Sequence, residues 1–217
     1  MRLAHVSSLS NHTSNTKHFV SARVNETHRL ALEKTVKEGF LIAYKAVLSS
    51  FMPLLCQYTS EQGQCTLGLR QATSSLFIEQ YTVEPIETFL PTPTSRSKIY
   101  ELGNLCSTHR QATLNHFIIV NEALYSIGAK YLVFCATKKV RAMLRVLGVN
   151  CTEIAVANSF VVEDPLSWGS YYSNQPTVCV VSLEQAHHNV LNTPMLYNLT
   201  QQNHEEIDSL ANTLVNI

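Results

Sequence analysis

The chain has 217 residues, 45% of them hydrophobic and only 15% charged, with sixteen basic side chains balanced by sixteen acidic ones. That length and apolar content support one sizeable core. No basic stripe suggests a nucleic-acid partner, and the neutral bulk charge gives no electrostatic pull towards anionic membranes.

The N-terminal stretch MRLAHVSSLSNHTSNTKHF is polar and lacks the apolar core of a secretory signal. It predicts a cytoplasmic protein, with release by a non-classical route as the alternative. Residues 1–24 read as a loosely ordered or edge segment, and residues 25–217 as a single α/β domain. Asn25 and Glu26 fit the start of a helix running to Glu38 or beyond, with Leu30, Leu32, Val36, Phe40 and Leu41 as its apolar face. The stretch FLIAYKAVLSSFMPLLC, residues 40–56, approaches the length of a short membrane span. Lys45, Ser49, Ser50 and Pro53 interrupt it, so the end of an amphipathic helix running into a buried strand is the better reading.

Residues 46–72 read as a hairpin turning at EQGQ, 61–64, with Ser74-Ser75 capping a short helix through Tyr81. Residues 82–97, with Pro85, Pro91 and Pro93, form a crossover. Ile99–Cys106 is strand-like. Ser107 or Thr108 then caps a long helix bearing Leu114, Phe117, Ile118, Leu124 and Tyr125 and closed by Gly128. YLVFCA, 131–136, is an apolar run of the kind buried on both faces. Thr137 caps the next helix, which turns Val140, Met143, Leu144 and Leu147 inward and ends at Gly148. Strands follow at 153–157 and 176–183, with a terminal amphipathic helix over 205–215. Strands alternating with helices predict an α/β fold with a mixed sheet.

Three stretches can carry chemistry. Glu101, between Tyr100 and Leu102, is a carboxylate on an apolar strand, costly unless paired, hydrogen-bonded or facing a cleft. Gly103 and Asn104 follow it, where glycine permits close backbone approach. An edge glutamate facing solvent is the competing reading. Lys138 opens a helix whose free N–H groups suit an anion; a solvated basic face is the alternative. WGSYY, 168–172, places Trp168, Tyr171 and Tyr172 on a loop that either walls a cleft or plugs the end of a sheet. The six cysteines show no CxxC and read as free thiols. The nine histidines show no metal-ligand spacing, so no metal site is expected.

Taken together, YELGNL (100–105), WGSYY, LGLRQA (67–72), LFIEQYTVEPIE (76–87), SRS (95–97) and LVFCATKKVRAMLRVLG (132–148) resemble the bacterial thermostable haemolysin family, over residues 28–180. That family in turn resembles the GNAT acyltransferases, nearest the acyl-homoserine-lactone synthases. The resemblance implies a GNAT-like fold with a central splayed mixed sheet flanked by helices. It also implies an acyl-CoA or acyl-carrier thioester as co-substrate and an amine as acceptor. In that picture Glu101 orients or deprotonates the amine. Gly103, Asn104, His109, Arg110, Thr137 and Lys138 hold the donor, and Trp168, Tyr171 and Tyr172 line the pocket. The pattern departs from the family at one place: no glycine stands between Gly103 and Gly128, where the fold relatives carry a glycine-rich phosphate loop. Membrane lysis, with membrane contact, and a non-catalytic ligand-binding module are the two alternatives to acyl transfer.

Overall fold

The computed structural model describes residues 17–215. Among the described residues seven strands form one mixed sheet: β1 (His18–Arg23), β2 (Leu54–Ser60), β3 (Gly63–Gln71), β4 (Ile99–Ser107), β5 (Tyr131–Ala136), β6 (Thr152–Val156) and β7 (Thr177–Ser182). Their order is β1-β2-β3-β4-β5-β7-β6, and only β4 and β5 run parallel. The hairpin turn falls at Glu61-Gln62, between Ser60 and its partner Gly63. Of the N-terminal segment, residues 1–16 lie outside the described residues, and His18–Arg23 pair with β2 along one edge of the sheet.

The alternating side chains of the strands sort the core into two faces, as the pleat requires. Leu54, Cys56, Tyr58, Leu67, Leu69, Tyr100, Leu102, Leu132 and Phe134 turn towards α2 (Arg110–Ser126). Ile99, Tyr131, Val133, Val178 and Val180 turn towards the crossover. Helix α2 is buried almost all round because α4 (Leu183–Asn192), α5 (Pro194–Gln202) and α6 (His204–Val215) pack over it. Helices α1 (Arg29–Tyr44) and α3 (Lys138–Val146) complete the set. Helices α4 and α5 are additional to the elements expected from sequence.

Three elements depart from expectation for identifiable reasons. Helix α1 starts at Arg29 rather than after Asn25, whose φ of 71° places it in a left-handed turn. Arg29 is drawn inward, donating to the carbonyls of Met52 (2.8 Å) and Pro53 (3.1 Å) and pairing with Glu33. That sets the helix so that Leu32, Val36 and Phe40 face in, while Leu30 and Leu41 face out. Residues 46–53 join no strand. Instead Met52 lies flat over the cross-strand pair Gly68 and Gly103, where any Cβ would collide with its side chain, and its N–H donates to Asn104 Oδ1 at 2.7 Å. The α2 cap is His109, whose Nδ1 accepts from the Gln111 amide. Thr108 is held at the hairpin by Gln64, because β4 runs on to Ser107.

Candidate functional site

The site begins where two neighbouring strands part. The parallel ladder of β4 and β5 has four pairs, Ile99–Tyr131 to Leu102–Phe134, and stops there. Strand β4 continues on β3, but with an extra residue: Gly103 faces Gly68 and Cys106 faces Thr66, so Asn104 and Leu105 together oppose Leu67. A bulge of this kind sharpens the twist and turns the strand aside. Asn104 takes the left-handed conformation it needs, with φ 52°, which asparagine tolerates better than most residues. Gly103, Asn104 and Leu105 on one side, and Cys135 and Thr137 on the other, therefore border a gap in the middle of the sheet.

A cavity of about 180 Å³ passes through that gap. On the α1 face its walls are aromatic: Phe40, Tyr44, Phe51, Phe77, Tyr81, Trp168 and Tyr171. On the opposite face they belong to helices and, Phe117 apart, are aliphatic: Leu114, Phe117 and Ile118 of α2, Val190 of α4 and Leu196 of α5. Gly169 positions the aromatic loop. Its φ of 51° brings the backbone so close to the Tyr44 and Lys45 carbonyls that a side chain has no room. Ser170 N–H donates to Tyr44 O at 2.8 Å, and Val47 N–H donates to Ser167 O at 2.6 Å. Trp168 then packs on Phe77, with ring centroids 5.6 Å apart, and on Tyr171 at 5.3 Å.

Glu101 is the acidic group of this cavity, and it is fully buried rather than solvent-facing. Its two oxygens accept from the backbone N–H groups of Phe77 (3.1 Å) and Ile78 (2.9 Å) at the start of a 3-10 turn, Phe77–Tyr81. Directly across the ladder stands Arg70, with Nη1 4.0 Å from Glu101 Oε2. Burial pushes the Glu101 carboxyl above its ordinary range, only partly offset by those two amides and by Arg70. A carboxylate so placed is a stronger base than one in water. The turn that holds it is itself pinned. Arg96 donates to Glu79 (2.8 and 3.1 Å), to Glu87 (2.5 Å) and to the carbonyls of Ala72 and Ser74.

Of the residues expected to form a site, Glu101, Gly103, Asn104, Thr137, Trp168 and Tyr171 meet in the cavity wall. Tyr172 sits behind them, its hydroxyl 2.7 Å from that of Tyr81. His109, Arg110 and Lys138 are exposed at the N-termini of α2 and α3, outside the cavity lining. The α2 amides are partly spent, Thr108 N–H on Gln64 O and Gln111 N–H on the His109 ring. Of the basic α3 face, Arg141 is engaged with the Ala136 and Gln175 carbonyls and with Glu153. The sequence reading missed Arg70, Met52, Phe77 and Tyr81. Arg70 meets Glu101 only through the β3–β4 pairing, which the crossover separates in sequence, and the others depend on how loops fold back.

Among the described residues no cluster of His, Cys, Asp and Glu is arranged to hold a metal ion, and no helix is long and apolar enough to cross a membrane. The described cysteines are all free.

Several solved structures share this architecture. LasI, an acyl-homoserine-lactone (AHL) synthase, superposes with a TM-score of 0.52 at 12% identity, covering 78% of this chain and 91% of its own. FeeM, an N-acyl amino acid synthase from uncultured soil microbes, gives 0.52 at 12% identity, over 80% and 96%. BjaI, a CoA-dependent acyl-homoserine lactone synthase solved with SAM and isopentyl-CoA, gives 0.51 at 14% identity, over 87% and 89%. At such identities the likeness is one of fold: a mixed sheet flanked by helices, of the GNAT-like acyltransferase type. No curated protein sequence matches the chain. The family model for thermostable hemolysin matches residues 22–187, most of the chain, and the protein belongs to the thermostable hemolysin family.

Proposed function

We propose that this protein transfers an acyl group from a thioester donor to an amine. The observation that carries the reading is the apolar cavity crossing the sheet at the β4–β5 gap, with a buried glutamate at its polar corner. The fold neighbours LasI, FeeM and BjaI are named as synthases of acyl-homoserine lactones or N-acyl amino acids, which agrees with a cavity of this shape. Fold alone would not select the reaction.

In this reading the acyl chain occupies the aliphatic lobe between α2, α4 and α5, and the thioester carbonyl lies in the gap. Backbone N–H groups of β4 beyond Leu102 that point towards β5 have no ladder partner there, so they are free to polarise the carbonyl oxygen. The amine enters from the aromatic side and its nitrogen attacks the carbonyl carbon. A C–N bond forms and the C–S bond breaks. The proton leaving nitrogen passes to Glu101 and then to the departing thiolate, so the carboxylate ends as it began. The phosphate of acyl-CoA or of an acyl carrier would meet Arg110 and Lys138, exposed where β4 and β5 lead into their helices.

The test is thiol release from acyl-CoA and acyl-carrier-protein donors of graded chain length, with mass spectrometry of the amide formed from a mixture of amines. Glu101→Gln should lower kcat by about 100-fold or more, the scale of lost general-base catalysis. No thiol release with any donor would overturn the proposal. Haemolysis follows from this activity if the N-acylated product is surface active. Lysis of erythrocytes by the purified protein without any thioester would instead be direct.

A further inference from the structure

The cavity holds a cation that the acyl-transfer step does not use. Arg70 lines it beside Glu101, on the same face of the sheet. Its nearest acidic group is Glu101 Oε2, at 4.0 Å, beyond hydrogen-bond reach. The buried Arg29 and the half-buried Arg96 and Arg141 are each engaged in ion pairs and hydrogen bonds. Arg29 is spent on Glu33 and on backbone carbonyls, Arg96 on Glu79, Glu87 and two carbonyls, and Arg141 on Glu153 and two carbonyls. Arg70 is different: among the described residues its half-buried, planar fork of N–H donors makes only the loose ion pair with Glu101 and no hydrogen bond.

Glu101 cannot swing across to use that fork, because the Phe77 and Ile78 amides hold both of its oxygens. The two side chains therefore stand as a fixed pair of opposite charges, a few ångströms apart, facing one cavity. A simple amine would answer only the negative member and leave the guanidinium without a hydrogen-bond acceptor in a part-dry cleft, which is costly. A molecule carrying a carboxylate next to its amine answers both, and a guanidinium fork matches a carboxylate in geometry as well as charge. The walls beside the pair are Phe77, Tyr81 and Trp168, which favour an apolar or aromatic remainder.

Resting on the acyl-transfer reading, we propose that the acceptor is an α-amino acid with an apolar or aromatic side chain. Its carboxylate sits on Arg70 and its amine at Glu101. Arg70 is thus a binding and specificity residue rather than a mere counter-charge.

Calorimetry without any donor separates this inference from the transfer chemistry. The probes are L-phenylalanine, phenylalaninamide, phenethylamine, which lacks the carboxylate, and 3-phenylpropionate, which lacks the amine. The amino acid should bind at least tenfold more tightly than each of the other three. Arg70→Gln should remove its advantage over phenethylamine, while Arg70→Lys should keep part of it. The wild-type panel needs no variant, so poor folding of Arg70→Gln does not spoil the test. Equal binding of phenethylamine and phenylalanine, or binding of none of the four, overturns the inference. Ready acylation of carboxylate-free amines overturns it too, yet leaves acyl transfer standing. Arg70-dependent binding of phenylalanine, with no thiol release from any donor, supports the amino-acid site and sinks acyl transfer.

Discussion

The placement of Glu101 depends on a turn that Arg96 holds, and that dependence can be measured. Burial pushes the Glu79 carboxyl up, but the Arg96 guanidinium and the Ile86 and Leu76 amides outweigh it and hold the group down at about 2, against an ordinary 4.5. A depression of that size corresponds to a ceiling of about 3 kcal/mol, and solvent screening of this half-buried pair brings Arg96's share nearer 1–2 kcal/mol. Arg96 also satisfies the Ala72 and Ser74 carbonyls, worth about 1 kcal/mol each. Arg96→Met should therefore cost about 2–4 kcal/mol in urea unfolding at neutral pH. A cycle with Glu79→Gln should return a coupling of about 1–2 kcal/mol. Because the folded-state value lies below the unfolded one, the Glu79 contribution is complete above about pH 4.5. It is lost as pH falls towards 2, so the gap between wild type and Glu79→Gln should close in acid. The functional readout is phenylalanine affinity or thiol release, which should fall in Arg96→Met as the Phe77 and Ile78 amides loosen around Glu101. A coupling below about 0.5 kcal/mol, or a Glu79→Gln difference that stays constant down to about pH 3, would refute the reasoning.

Burial pushes the His116 imidazole down to about 3, with its Nδ1 only 2.9 Å from Cys65 O. Below about pH 6.5 the unfolded chain takes a proton that the folded one refuses. Stability should thus fall by about 1.4 kcal/mol per pH unit through that range, and His116→Gln should flatten the slope. Gly169→Ala should destabilise by about 1–3 kcal/mol, because a Cβ there meets the Tyr44 carbonyl at a positive φ. Emission from Trp168, the sole tryptophan, should shift as the loop lifts. Leu196→Phe should narrow the aliphatic lobe, at about 1–3 kcal/mol in stability. Turnover should then move towards shorter acyl donors; an unchanged chain-length profile would place the acyl chain elsewhere.

Legibility from sequence followed the range of the forces involved. The β5 run YLVFCA coincides with its strand because a segment buried on both faces needs no partner to be recognised. Helix α1 was displaced because a long-range event, the capture of Arg29 by Met52 and Pro53 carbonyls, decided where it begins. Residues 46–53 have strand-like composition, yet they are diverted onto the Gly68–Gly103 pair by contacts no local pattern encodes. Glu101 was visible as a misfit on an apolar strand. Its partner Arg70 was not, since an arginine near a hairpin end is ordinary until the register is known.

The part of β4 beyond Leu102 is, in effect, an edge strand placed in the interior of a sheet. Outer edges invite pairing with other chains, and proteins blunt them with charge, proline or short length. Here none of those devices is needed. Helix α2 on one side and residues 46–53 on the other roof the gap, so a foreign strand with its side chains cannot lie alongside. What can is something slender and unbranched. The protein can therefore leave backbone unpaired inside the sheet without exposing it to pairing with other chains.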